Sequence, residues 1–315
     1  MIISIFYILI SLFLLYFGAN WLVKGSSALA LKAGVSPLVA GLTVVAFGTS
    51  SPELVVSVNT AMAGQGNIAI GNVIGSNLFN ICIILGISAL VSPLKIKMQL
   101  LKIDIPVLIL VTGVFMFLFI DRQISRLEGM ILVSGILLYT AGNIYMARKE
   151  KNAEVLEEFN ESVSPGKIKW YWSAGMVIAG IGILVAGSEF LVKGAVEIAR
   201  SLGVGETIIG ITIIAAGTSL PELASSIVAT IRKEYDIAIG NIVGSNIFNI
   251  LGIVGISSLV KPLSAIAISN IDLYVMLGVT LLLLPFFRTH YTLKRDEGFF
   301  MIALYGMYMY YLWPK

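Results

Sequence analysis

The sequence predicts an all-α membrane protein: ten transmembrane helices in two inverted five-helix repeats, with helices 2 and 7 broken. Three observations carry that prediction. The 315-residue chain is 57% hydrophobic and 12% charged, with a mean hydropathy of +0.94, whereas a soluble globule carries about 25% charged residues. A single offset of 169 positions superposes one half of the chain on the other. The stretches GTSSPEL (48–54) and GTSLPEL (217–223) each place a proline and a glutamate inside a long apolar run.

A hydropathy window of roughly 19 residues gives spans near 2–23, 37–63, 68–91, 102–120, 127–146, 170–192, 206–231, 237–260, 270–287 and 298–313. The first has no charge before Lys24, so it lacks the basic start of a cleaved signal peptide and reads as a retained span. The one sizeable polar gap divides the chain into a repeat over 1–146, a connecting loop over 147–169 and a second repeat over 170–315. That loop is too short to fold alone, and its Glu154, Glu157, Glu158 and Glu161 read as a solvated face. Loops after odd-numbered spans hold fourteen Lys and Arg, against five on the opposite side. The positive-inside bias therefore predicts both termini outside and the connecting loop in the cytoplasm; the cell membrane is the expected location. Lys24 and Lys193, at the predicted span ends, are expected to snorkel to the interface.

The offset that relates Glu53 to Glu222 also aligns Val23-Lys24-Gly25 with Val192-Lys193-Gly194, Gly41 with Gly210, Ser76 with Ser245, Asn80 with Asn249 and Pro93 with Pro262, without a gap. Five spans per half is an odd number, so the second copy enters the membrane from the opposite side. Inverted repeats of this kind are a transporter architecture, with substrate near the midplane where discontinuous helices meet.

The paired motifs explain the breaks. Proline has no amide hydrogen and its ring collides with the carbonyl four residues earlier, so Pro52 and Pro221 release the carbonyls of Gly48 and Gly217. Irregular backbone at membrane depth is tolerated only when buried in protein or lining a wet cavity. The carbonyls of Ala46 to Thr49 and of Ala215 to Thr218 are therefore expected to be available as ligands. Glu53 and Glu222 follow directly. A buried acid costs about 2.5–3.5 kcal/mol on insertion scales, and two together would raise a pKa unless a positive charge joined them. A bound cation removes both difficulties. The plainer reading is that each glutamate sits in the first turn of a restarted helix, where the dipole favours an acid; two copies placed by the repeat favour the cation.

GNVIGSNLFN (71–80) and GNIVGSNIFN (240–249) set Asn72, Ser76 and Asn80, and Asn241, Ser245 and Asn249, along one face of spans 3 and 8. Gly71 with Gly75 and Gly240 with Gly244 form pairs that let a neighbouring backbone approach. Ser76, Asn80, Ser245 and Asn249 are expected to line the cavity; Asn72, Asn77, Asn241 and Asn246 are equally readable as glue between helices. The candidate metal ligands are thus Glu53, Glu222, the Thr49 and Thr218 carbonyls, Ser50, Ser219, Ser76, Ser245, Asn80 and Asn249, all oxygen donors that suit calcium. Zinc and copper are disfavoured because neither Cys82 nor His290, each the single residue of its type, belongs to the set. Cys82 sits in an apolar run, and His290 reads as a solvated loop residue.

These residues resemble the paired alpha repeats of the sodium/calcium exchangers, within the calcium/cation antiporter superfamily, over nearly the whole chain. The resemblance implies antiport of sodium for calcium by alternating access, with spans 1 and 6 sliding against the ion-holding bundle. It implies that Glu53 and Glu222 bind calcium with the Thr49 and Thr218 carbonyls. It also implies that Ala46, Ser50 and Ser76 line one sodium site and Ala215, Ser219 and Ser245 its mirror, with Asn80 and Asn249 flanking the centre. Some relatives carry aspartate at one central amide position; here both are asparagine, which leaves two negative charges to balance one calcium. Three sodium ions would leave one net positive charge, so exchange is expected to be electrogenic without potassium. The expected partners are calcium and sodium as transported ions and membrane lipid, with no prosthetic group and no nucleic acid; the chain is expected to work as a monomer. The rival readings are a proton/calcium antiporter of the same fold, a channel, and an intramembrane enzyme, for which no nucleophile pairing, metal motif or cofactor fingerprint is present.

Overall fold

The computed structural model describes residues 2–149, 169–202, 215–288 and 291–312. Most of the connecting loop with its four glutamates, the first part of span 7 and His290 lie outside the described residues. Among them, seven helices are long and apolar enough to cross a membrane, or eight if Pro37–Thr49 and Ser51–Met62 count as one broken span. Leu220–Ile231 is a shorter apolar helix. Arg295–Leu312 carries Asp296 and Glu297 beside Arg295 in its first turn. The chain is an all-α membrane protein, to which the structure adds two minimal β ribbons.

The chain divides into two compact units, each drawing on both halves of the sequence. The first comprises residues 1–49 and 137–241. Its axis is the antiparallel pair Ile2–Ala33 and Trp170–Ser201, both about ten residues longer than the predicted spans. Lys24 and Lys193 lie inside these helices on exposed positions, so the charges do not end them. The pair is held by small residues every seven positions: Ser4, Ser11, Gly18 and Gly25 on one helix, Ser173, Gly180, Gly187 and Gly194 on the other. A Cβ added at Gly180 would lie 2.7 Å from the Leu22 nitrogen, one at Gly194 2.7 Å from the Ser4 carbonyl and one at Gly25 2.8 Å from the Ser173 carbonyl. Lipid gives helices no hydrophobic reason to associate, so close backbone approach at small residues supplies the attraction. Leu15, Leu22, Val177 and Leu184 flank the seam and pack on Val45, Val228 and Ile237.

Gly34, at φ +65°, ends the first helix, and Ser36 restarts the chain, its hydroxyl accepting from the Val39 amide at 3.4 Å ahead of Pro37. A Cβ added at Gly240 would lie 2.8 Å from the Leu38 carbonyl and 3.0 Å from the Leu42 nitrogen, the close backbone approach that its motif predicts. Gly71 and Gly75 do not behave so: a Cβ added at the first would meet only the Ile268 side chain, at 3.7 Å, and one at the second would meet open space. Gly41 lies against Gly240; the residue aligned with Gly41, Gly210, lies outside the described residues.

The second unit comprises residues 50–136 and 242–315. Here the 169 offset recurs in contacts. Gly86 approaches Gly298, and Gly255 approaches Gly129, so each pair is the other shifted by the offset. Leu94–Lys95 pairs antiparallel with Thr292–Leu293, and Gln123–Ile124 with Leu263–Ser264, again the same pairing shifted. Arg122 and Tyr291, both left-handed at φ 65° and 51°, occupy equivalent places ahead of those strands. Asn80–Ile84 and Asn249–Val254 are π-helical, an extra residue per turn that periodicity had not revealed.

Candidate functional site

The first glutamate motif breaks its helix at Ser50 alone, the second at Thr218 and Ser219. Ser50 has φ −81° and ψ 9°, and Ser219 φ −88° and ψ 8°, the sparsely populated bridge between α and β backbone. A new helix begins at the next residue, with Pro52 and Pro221 in its opening positions, where a missing amide hydrogen is not missed. Glu53 and Glu222 therefore do occupy first turns, and each is 1% exposed. A helix dipole contributes about 0.3–1 kcal/mol at ordinary sites, well below the insertion cost of an acid. Position in a first turn alone does not account for their burial.

In the first unit, the Thr49 hydroxyl lies within donating distance of the Val45 carbonyl (3.1 Å), the Ala46 carbonyl (3.3 Å) and Asn241 Oδ1 (3.0 Å). The Asn241 amide in turn donates toward Ser225 and Ser226, both at 3.0 Å, and toward the Glu222 carbonyl at 3.4 Å. Asn241 thereby fixes the restarted helix that carries Glu222. The Ser188 hydroxyl, from Trp170–Ser201, donates to the Gly217 carbonyl. The sequence reading had left that carbonyl open for ions; a hydroxyl on the neighbouring helix occupies it. Ala46 and Ser219 are buried, Thr218 is half-buried, and Ala215 opens the short helix Ala215–Gly217.

In the second unit, Ser50, Glu53, Ser76, Asn80, Ser245 and Asn249 are all buried. Asn72 donates to Ser57 at 3.0 Å and to the Glu53 carbonyl at 3.3 Å, the counterpart of Asn241 with Ser226 and Glu222. Asn80 Nδ2 donates to Asn246 Oδ1 at 3.1 Å, and Asn249 Nδ2 donates to Asn77 Oδ1 at 2.9 Å. Both amide groups are thus held by their nitrogen ends, while Asn80 Oδ1 and Asn249 Oδ1 are buried and accept no hydrogen bond. A buried unsatisfied acceptor costs about 1–3 kcal/mol. The two stand at equivalent positions, each opening a π-helical segment, and their oxygens are candidate cation ligands.

Among the described residues, no three Cys, His, Asp or Glu side chains gather in one place. Any cation that Glu53 or Glu222 held would have to be completed by neutral oxygens, the donor set that calcium and sodium take. The cavity of 260 Å³ in the second unit, lined by Leu78, Cys82, Val275 and Tyr305 among others, is apolar and contains none of the predicted ligands. Sequence reading had missed Ser188, Ser225 and Ser226, and had left Asn72, Asn77, Asn241 and Asn246 undecided. The available signal was the repeat itself, since asparagine recurs at both members of each pair.

Comparison with known proteins agrees with this chemistry. The family model described as "Sodium/calcium exchanger protein" matches residues 3–145 and 172–313. The sodium/calcium exchanger MaX1 of Methanosarcina acetivorans is 32% identical, with 96% of each chain covered. A candidate antiporter of Alkalimonas amylolytica, CaxA, is 36% identical over the whole of both chains. Among solved structures, the sodium-calcium exchanger NCX_Mj, soaked without sodium or calcium, matches with a TM-score of 0.85 and 33% identity over 99% of each chain.

Proposed function

This chain belongs to the sodium/calcium exchanger family, and from that premise we propose that it exchanges sodium for calcium by alternating access. In this reading the chain is a pair of inverted five-helix repeats, residues 1–146 and 170–315, joined by a cytoplasmic loop, with both termini outside the cell membrane. Glu53 and Glu222 bind calcium together with the Thr49 and Thr218 carbonyls. Ser50, Ser76 and the Ala46 carbonyl serve one sodium site, and Ser219, Ser245 and the Ala215 carbonyl its equivalent, with Asn80 and Asn249 beside the calcium. The single chain is the working unit. The observation that carries this reading is the pair of buried, unbonded amide oxygens, Asn80 Oδ1 and Asn249 Oδ1, on helices that follow the two buried acids.

Two carboxylates balance one calcium, whereas three sodium ions leave one positive charge over. Exchange near three sodium per calcium therefore moves net charge, worth about 2.3 kcal/mol per 100 mV. The test is calcium-45 uptake into sodium-loaded proteoliposomes with no pH gradient. Uptake should follow the outward sodium gradient, and an interior-positive potential should speed it. Uptake that ignores sodium and follows an imposed pH gradient would replace this reading with proton/calcium antiport.

A further inference from the structure

The four central asparagines form a crossed arrangement within the second unit. Asn80, on the first-half helix, is held by Asn246 of the second half; Asn249, on the second-half helix, is held by Asn77 of the first. Asn77 Nδ2 also donates to the Asn246 carbonyl at 3.3 Å, while Asn246 Nδ2 has no hydrogen-bond partner. All four side chains are buried.

An asparagine amide is nearly symmetrical in shape and opposite in charge at its two ends. Turned about its last bond, it would offer a cation two N–H donors instead of an oxygen. Asn80 and Asn249 can be cation ligands only if that turn is prevented. Asn246 Oδ1 and Asn77 Oδ1 accept from the nitrogen ends and prevent it.

We propose that Asn77 and Asn246 are positioning residues that lock Asn249 and Asn80 with their oxygens toward the transported cation. The proposal rests on the reading of Asn80 and Asn249 as ligands. The two arms are unequal. Asn77 engages both ends of its own amide, whereas Asn246 engages only its oxygen. Removing the Asn77 side chain deletes two hydrogen bonds, and removing that of Asn246 deletes one.

The experiment measures calcium-45 uptake into sodium-loaded proteoliposomes for Asn77→Leu, Asn246→Leu and Asn246→Asp, with melting temperatures taken with and without calcium. Leucine has similar volume and no acceptor; aspartate keeps an acceptor for Asn80 Nδ2. Groups that orient metal ligands typically carry about 10–100-fold in affinity. The expected result is an apparent calcium KM raised about tenfold by Asn246→Leu and further by Asn77→Leu, with maximal rate within about twofold. Asn246→Asp should restore the KM, and the calcium-induced rise in melting temperature should shrink in step with the leucine KM values. Helix glue alone would lower the ion-free melting temperature and leave the KM untouched, and that outcome overturns the proposal. If a leucine variant fails to assemble, Asn246→Ser, too short to reach Asn80, carries the same expectation. Native protein without sodium-driven uptake would instead overturn the exchange reading itself.

Discussion

Ala19 and Ser188 stand 169 positions apart, at equivalent points on the two long paired helices, and only Ser188 has a side-chain hydrogen-bond donor. Ser188 holds the carbonyl of Gly217 at one helix break; Ala19, fully buried, offers Gly48 nothing. The same inequality appears below each acid. Asn241 reaches both Ser225 and Ser226, while Asn72 reaches only Ser57, because Val56 stands where Ser225 does. The acids and the amides are duplicated faithfully; the supports around them are not. Under the alternating-access proposal, in which the two halves exchange conformations, this unequal support is expected to bias which side the resting protein faces.

The largest effect that would break the symmetry of the acids is unequal loss on neutralisation. Glu53→Gln and Glu222→Gln should each reduce sodium-driven calcium uptake at least about 100-fold, since removing one charge from a buried charged site costs about 3–5 kcal/mol. If only one of the two matters, the acids are not equivalent ligands. Next comes the seam between the long helices, where Gly180 lies against backbone and its counterpart is the buried Ser11. Gly180→Ala places a Cβ 2.7 Å from the Leu22 nitrogen and should destabilise by about 1–3 kcal/mol, read as a lower melting temperature in detergent. Ser11→Ala loses only a bond to its own helix, at the Ile8 carbonyl, and should change little.

The support at the breaks gives a smaller, directional effect. Ser188→Ala should shift the balance of inward-facing and outward-facing states about 2–12-fold, the worth of one net hydrogen bond of about 0.5–1.5 kcal/mol. Ala19→Ser should shift it the opposite way. Accessibility of a single introduced cysteine to an impermeant reagent would record both. Two shifts of the same sign would refute the comparison.

The smallest effect lies at the loop after each restarted helix. Gln65 and Glu234 are equivalent, and their amides bond the Thr60 and Ala229 carbonyls, each at 2.8 Å. Burial, then the neighbouring Asp236, pushes the Glu234 carboxyl above its ordinary range against the opposing pull of Arg232. A raised carboxyl favours the folded state while protonated, at low pH, and loses that contribution as pH rises through its folded value. Glu234→Gln should therefore raise the melting temperature at neutral pH, by an amount worth about 0.5 kcal/mol or less, and the gain should vanish in acid.

The helix breaks and the buried positions of the acids were legible in the sequence because each is a local violation: a proline, then a charge, inside apolar sequence. Most helix boundaries followed for the same reason. The long helices were read short because Lys24 and Lys193 looked like ends; a charge on an exposed face of a membrane helix stops nothing. The π-helical segments at Asn80 and Asn249 left no trace, since the residues that follow each asparagine are apolar on all sides and carry no phase to be interrupted. The orientation of the central amides was equally illegible. Asn80 is turned by Asn246, a residue 166 positions away, and only the folded arrangement joins them.

The central claim is that mirror-related buried acids exist to hold the exchanged cation. Equilibrium calcium-45 binding to the purified protein tests it most directly, comparing native chain with the double variant Glu53→Gln/Glu222→Gln. The native protein should bind calcium saturably and release it to sodium, and the double variant should bind none. Sodium-displaceable calcium binding that survives in the double variant would contradict it.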